Sequence, residues 1–372
     1  MSGSERPNGP LRRGWTTGAC ATAATKAACE ALFGDAFPDP VRIRLPRGEE
    51  PAFALARAEL DRAAGEARAG VVKDAGDDPD VTHGVEVVAT VRRTAPGTGT
   101  VFRAGPGVGT VTLPGLPLDV GEPAINPVPR RLMREAVAEV TGRHGAPPDV
   151  ELEISIPGGE EIARRTWNPR LGIVGGLSIL GTTGVVVPYS CSAWIHSIHR
   201  GIDLARANGI DHVAGCTGST SERTVRGLFG LPEIALLDMG DFVGGTLRYL
   251  RRKPVPRMTI GGGFAKLSKL AVGHLDLHSG RSQVDKDWLA DRAAELGAPA
   301  DLVPALRTAN TALEVLNRCR AAGVAIGEAV ADAARRTALD VLDGAPVAVD
   351  VVVVDRDGAV VATSGVAAAG GT

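Results

Sequence analysis

Four carboxylates crowd into seven residues at Asp74-Ala75-Gly76-Asp77-Asp78-Pro79-Asp80, with Lys73 just before them and His83 just after. Like charges this close repel, so each acid must be hydrogen-bonded to N–H groups, protonated, or paired with Lys73, an Arg or a cation. The plainer alternative is an Asx-rich turn whose Asp side chains bond their own backbone. Thr16-Thr17-Gly18 precedes a helical run and offers two hydroxyls and free N–H groups at the positive end of a helix dipole. That suits a carboxylate or phosphate; an ordinary N-cap is the alternative, with Arg13 and Lys26 as extra charge.

A second set lies downstream. Gly215-Cys216-Thr217-Gly218-Ser219-Thr220-Ser221-Glu222 has the S-x-x-E spacing of a capping box, and its glycines let a ligand approach the backbone. It is not the GxGxxG fingerprint, so the spacing names no cofactor. Asp238 in LLDMGD stands where an acid could take ribose hydroxyls, with Asp241 the better helix cap, and Gly261-Gly262-Gly263 ends a further apolar run. His196 with His199, and His274 with His278, have spacings that place each pair on one helix face. Neither pair has a third ligand, so no metal site is expected.

These residues need elements to position them. Ala19–Phe33 is Ala-rich and reads as an amphipathic helix capped by Thr16 or Thr17 and stopped by Gly34. Segments 41–45, 52–60, 67–73, 84–93 and 150–156 read as strands, with a helix over Pro129–Thr141. Residues 94–120 are crowded with Gly and Pro and read as long loops and short hairpins. After Trp167, strands at Val185–Pro188, His212–Gly215, Ile234–Leu237 and Met258–Ile260 each precede a helix, over Ala193–Ala207, Glu222–Phe229, Phe242–Arg251 and Ala265–His274. Such alternation predicts a parallel sheet with ligands beyond the carboxyl ends of its strands. Helices follow over 287–341, including Thr308–Ala321 and Gly327–Leu342, and Asp357-Gly358 marks a closing hairpin whose parent sheet stays open.

The expected organisation is a disordered leader over 1–10, an α+β domain with a mixed sheet over 11–166, and a Rossmann-like parallel α/β domain over 167–290. Residues 291–372 are expected to pack on both as helices and a hairpin. A length of 372 residues supports more than one core, at about 150 residues per domain. The net charge of -2, the lack of a dense Lys/Arg run and the scarcity of aromatic residues argue against a nucleic-acid partner. Five scattered cysteines without CxxC spacing suggest neither disulfides nor zinc and fit a reducing cytoplasm. No apolar run is long enough for a signal peptide or a membrane span.

Several stretches together resemble the CbiD family, the cobalt-precorrin-5B (C1)-methyltransferases. They are GWTTGACATAATKAA (14–28), VVKDAGDDPDVTHG (71–84), GEPAINPVPR (121–130), GGLSILGTTGVVVPYS (175–190), GCTGSTSE (215–222) and GGGFAKLSKLAVGHLDLHSGRSQVD (261–285). Trp15 and Ala19-Cys20 depart mildly from the family pattern of Tyr and Thr-Cys. The resemblance implies a carboxylate-rich cobalt tetrapyrrole as substrate, cobalt entering only with it, and S-adenosylmethionine as methyl donor. The methylated ring must then lose a proton, which Asp74, Asp77, Asp78 or His83 could accept, His83 being favoured by a usual pKa near neutrality. Thr16, Thr17, Gly18, Lys73 and Asp77 would hold the tetrapyrrole; Thr217, Gly218, Ser219, Asp238, Gly261 and Gly262 would hold the donor. A nicotinamide oxidoreductase and a non-catalytic tetrapyrrole carrier are the rival readings, and a homo-oligomer stays open.

Overall fold

The Ala-rich run closes into a helix, α1 (Thr17–Gly34), in the computed structural model, which describes residues 9–365. Thr16 caps it, its Oγ1 accepting the Ala19 N–H at 3.2 Å, and Asp35 ends it in the left-handed conformation at φ 64°. The expected amphipathic helix is instead buried almost all round, from Thr17 to Thr25 without a break. Small Ala side chains let neighbours approach on every side, and a helix so enclosed belongs in a core.

The neighbours come from one unit of the chain, which ends at Ser190. Its elements begin with β1 (Gly14–Trp15), β2 (Val41–Arg42), β3 (Ala52–Phe53), β4 (Arg57–Asp61), β5 (Glu66–Val72) and β6 (Glu86–Arg93). Then come β7 (Thr100–Ala104), β8 (Gly107–Val108), β9 (Thr110–Val111), α2 (Pro127–Arg143), β10 (Val150–Ser155) and α3 (Gly159–Ala163). The unit closes with β11 (Ile173–Val174), β12 (Gly176–Leu177) and β13 (Val185–Val186). A five-stranded sheet in the order β4-β5-β6-β10-β7 is antiparallel except where β10 runs parallel to β7. It is the mixed sheet expected of the first half. One face packs on α1, where Ala67, Ala69, Val87, Ala89, Val91, Leu152 and Ile154 are buried. The other carries charge, with Arg92 bridging Glu66, Glu151 and Glu153. The stretch read as loops over 94–120 supplies three strands, including the edge strand β7.

The expected boundary at 166/167 shifts. Residues after Trp167 stay with the first unit, because β11 pairs with β9, β12 with β8 and β13 with β1. Val185–Pro188 is therefore not the first strand of the parallel sheet. The second unit starts at Cys191. It runs through α4 (Cys191–Ala207), β14 (His212–Cys216), α5 (Ser219–Phe229), β15 (Leu236–Leu237), α6 (Val243–Arg252), β16 (Arg257–Gly263) and α7 (Phe264–Ala271). It continues with α8 (Lys286–Glu295), α9 (Leu302–Arg307), α10 (Ala312–Ala321), α11 (Ile326–Leu342), β17 (Ala348–Val354) and β18 (Val360–Ser364).

Its sheet has the order β15-β14-β16-β17-β18, parallel up to β17, with β18 antiparallel at the edge. The closing hairpin thus belongs to this sheet, and residues after 291 build the second unit rather than decorate both. Val349, Val351 and Val353 of β17 join one core with α7, α11 and β16 residues such as Leu267, Val330 and Ile260. The helix expected over Thr308–Ala321 starts later, as α10 at Ala312, because Thr311 caps it by accepting the Glu314 N–H at 3.1 Å. Of the expected leader, residues 1–8 lie outside the described residues.

Candidate functional site

The acidic loop between β5 and β6 is folded by its own charges and by an arm from the N-terminal side. Lys73 is the most enclosed cation among the described residues, its side chain 1% exposed, and its Nζ donates to Asp80 Oδ2 at 2.6 Å. Asp80 Oδ1 accepts from the N–H and the hydroxyl of Thr82. Burial works against charge on Asp80, but the ammonium and the Thr82 donors outweigh it and hold its pKa below the usual range. Lys73 and Asp80 are therefore the internal staple of the loop.

Arg12 binds the other end. Its guanidinium makes a two-pronged pair with Asp74, and its backbone exchanges both hydrogen bonds with Asp77: Arg12 N–H to Asp77 Oδ2 at 2.6 Å, Asp77 N–H to the Arg12 carbonyl at 3.0 Å. The Arg12 hydrogen bond and the Gly76 N–H pull the Asp74 pKa down to about 2, so Asp74 is a permanent anion. Asp78 is treated in the opposite way. It is partly buried, and desolvation raises its pKa although its Oδ1 accepts the Tyr189 N–H at 2.8 Å. Its Oδ2 has no protein hydrogen bond among the described residues.

His83 is half exposed, and its Nδ1 accepts the Ala75 N–H at 3.1 Å. That bond assigns the proton of the neutral ring to Nε2, leaving a donor facing outward and no free lone pair. Of the expected acceptors, Asp78 alone combines a raised pKa with an open oxygen. Two of the N–H groups expected to be free at Thr16-Thr17-Gly18 are taken. Thr16 N–H donates to the Gly184 carbonyl, Gly18 N–H to the Leu180 carbonyl, and Thr17 Oγ1 accepts the Leu180 N–H at 3.0 Å. All three residues are buried, and the segment 178–184 covers the helix start. They form the wall beside Trp15, whose N–H donates to the Asp74 carbonyl at 2.7 Å.

In the second unit the expected residues collect on the carboxyl edge of the sheet. Thr217 and Gly218 follow β14, Ser219 opens α5, Asp238 follows β15, and Gly261 and Gly262 lie near the end of β16. Register brings them side by side, with Gly215 opposite Leu237 and Cys216 opposite Gly261. Gly218, not Ser219, is the N-cap, and no side chain caps α5, so the expected capping box is not formed. A Cβ at Gly218 would meet nothing within 4 Å, whereas one at Gly261 would strike Cys216 Sγ and Val225 at 2.7 Å and one at Gly262 would strike Thr217 Oγ1 at 2.9 Å. Gly261 and Gly262 thus serve packing behind the edge, and Gly218 leaves open space above it. The Asp238 carbonyl accepts the Trp194 indole N–H at 2.6 Å, which fixes the turn after β15.

Asp241, expected as a cap for α6, is not one; Phe242 precedes that helix without a side-chain cap. Burial raises the Cys216 thiol, next to Thr217, to about 12. His196 and His199 share α4 with ring centroids 6.2 Å apart, and His199 stacks on Tyr249 at 3.9 Å. His274 and His278 fall beyond the end of α7, so the expected helix face does not exist for them. Among the described residues no group of three or more His, Cys, Asp or Glu side chains could hold a metal ion. Arg12 and Tyr189 escaped the sequence reading; their partners lie 62 to 111 residues away, and no local pattern announces them.

The CbiD family model matches residues 4–188, nearly the whole first unit, and the CbiD C-terminal domain model matches 276–365 within the second. A cobalt-precorrin-5B C(1)-methyltransferase from Paramagnetospirillum magneticum is 67% identical, over 94% of this chain and 97% of the relative. This chain belongs to the CbiD family. A second CbiD relative of the same name, from Brucella anthropi, is 61% identical over 95% of each chain. The crystal structure of a cobalamin biosynthesis protein (CbiD) from Archaeoglobus fulgidus is 29% identical, covering 69% of this chain and 78% of that one, with a TM-score of 0.39. Agreement that loose adds nothing on the geometry.

Proposed function

We infer that this chain transfers a methyl group to C1 of cobalt-precorrin-5B, the reaction its relatives' name states, with S-adenosylmethionine as the donor, in the building of the cobalamin ring. The observation that carries this is 67% identity to such an enzyme over 94% of the chain. When bound, the sulfonium donor supplies an electrophilic methyl group. The ring carbon forms a bond to that methyl, the sulfur–methyl bond breaks with its electron pair staying on sulfur, and S-adenosylhomocysteine leaves. The methylated ring then gives up one proton.

In this reading the acidic loop serves the tetrapyrrole. Asp78 takes the proton on its open Oδ2, since desolvation raises its pKa and no described residue hydrogen-bonds that oxygen. Asp74, held charged by Arg12, and His83, with Nδ1 already engaged, orient the ring instead. Lys73 keeps the loop shut through Asp80, Asp77 anchors the Arg12 arm, and Thr16, Thr17 and Gly18 form the adjoining wall. Cobalt enters with the substrate.

The donor is assigned to the carboxyl edge of the second unit's sheet, read as a Rossmann-like domain. The open space above Gly218 fits close backbone approach, Asp238 stands at the neighbouring strand end for the ribose hydroxyls, and Thr217 and Ser219 frame the turn. Gly261 and Gly262 allow the edge to be this compact. The described cysteines form no disulfide, which agrees with a cytoplasmic enzyme, and no described helix is long and apolar enough to cross a membrane.

Incubation with cobalt-precorrin-5B and methyl-labelled S-adenosylmethionine is expected to place label in the macrocycle. Macrocycle binding without label would leave a carrier. Affinity for reduced nicotinamide and none for S-adenosylmethionine would leave an oxidoreductase.

A further inference from the structure

Lys266 sits in the first turn of α7, directly after β16. Its Nζ donates to the Thr217 carbonyl at 3.1 Å, in the turn after β14. The same ammonium lies 2.8 Å from Asp241 Oδ1, in the turn after β15. Asp241 Oδ1 is buried and makes no hydrogen bond, so the charge of Lys266 is what compensates it. One cation on the third strand end thereby joins the turns of the other two.

We propose that Lys266 is a positioning residue for the methyl donor. Rather than touching the reacting atoms, it locks the Thr217-Gly218 turn against the turn after β15, so that the donor's contacts keep one spacing. This rests on the donor's assignment to the carboxyl edge given above. Backbone hydrogen bonds already tie these turns, Thr217 N–H to the Gly261 carbonyl at 2.9 Å and Gly240 N–H to the Cys216 carbonyl at 3.1 Å, but no side-chain cap steadies α5 or α6, and Lys266 adds the side-chain link between them. Lys266→Met keeps length and removes the charge, leaving the buried Oδ1 of Asp241 uncompensated and the Thr217 carbonyl without its donor. The side chain is 38% exposed, so the methionine can stand in its place without breaking the core.

The test is calorimetric binding of S-adenosylhomocysteine together with steady-state kinetics on the full chain. Lys266→Met is expected to weaken S-adenosylhomocysteine about tenfold, equal to ~1.4 kcal/mol. KM for S-adenosylmethionine should rise in step, while KM for the tetrapyrrole stays at the wild-type value, and Lys266→Arg should recover part of the loss. A merely structural link would lower the melting temperature and kcat with no selective change in donor KM, and that result overturns the proposal. So does wild-type affinity in Lys266→Met.

If Lys266→Met does not fold, Asp241→Asn loosens the same link with the shape kept. A smaller loss of donor affinity then supports the proposal, and unchanged affinity overturns it. Gly218→Val separates the two readings. Its backbone is extended at φ 175° and its Cβ meets nothing, so the variant folds and only obstructs the space above the turn. Normal S-adenosylhomocysteine binding there would overturn the donor's location itself; a block of binding there combined with full affinity in Lys266→Met overturns the role of Lys266 alone.

Discussion

Asp74 and Asp78 stand four residues apart on one loop and titrate in opposite directions because their partners differ. Arg12 holds Asp74 ionised down to about pH 2, while desolvation lifts Asp78. For Asp74 the folded pKa is depressed, so its contribution to stability is present above the unfolded carboxylate range and disappears as pH falls through about 2. For Asp78 the folded pKa is raised, so its contribution is present below the unfolded value and is lost as pH rises through the folded one. Arg12→Ala is expected to return the Asp74 pKa toward the ordinary carboxylate value, read by NMR titration. Asp78→Asn should lower kcat by about 10²- to 10⁴-fold, the usual size of a lost general base. It should leave S-adenosylhomocysteine affinity unchanged and abolish the acid limb of the rate profile; a variant keeping that limb would move the base elsewhere. The acids themselves were legible in the sequence. How their environments differ was not, because Arg12 and Tyr189 reach the loop from far along the chain.

Elements are held together here by the absence of side chains at a few places. A Cβ on Gly14 would lie 2.0 Å from the Ala75 carbonyl carbon, and one on Gly76, itself at φ +67°, would lie 2.2 Å from the Arg12 carbonyl oxygen. β1 and the acidic loop therefore run backbone against backbone. Gly76→Ala is expected to displace the Arg12 arm and cost more than ~1 kcal/mol, since a left-handed backbone and a close contact are both lost. The check is a denaturant titration alongside turnover, with activity falling further than stability. Thr16→Ala, which removes only the cap of α1, should cost about 1 kcal/mol. The strand and helix rhythm after residue 210 was readable because Val and Ile runs alternate with helical spacing. Two-residue strands were not: β13 looks like any apolar strand preceding a helix, and only its pairing with β1 places it in the first unit.

The molecule carries separate cores, one built on α1 and the mixed sheet and one on α7, α11 and the parallel sheet. Hydrogen exchange should distinguish their ligands. S-adenosylhomocysteine is expected to slow exchange around 217–222 and 261–266, and the tetrapyrrole around 73–84. At a hundredfold excess over its Kd, the donor product should stabilise its unit by about 2.7 kcal/mol. The two-core division was legible from length and rhythm, but its boundary was not. Residues 167–190 change composition before they change partners, and composition is all a sequence displays. A last consequence concerns Cys216. A sulfonium ion alkylates thiolates readily, yet this sulfur adjoins the turn proposed for the donor. Burial lifts its pKa to about 12, so the sulfur stays a thiol near neutral pH. A donor bound at that turn would face the neutral thiol, a far weaker nucleophile than the thiolate.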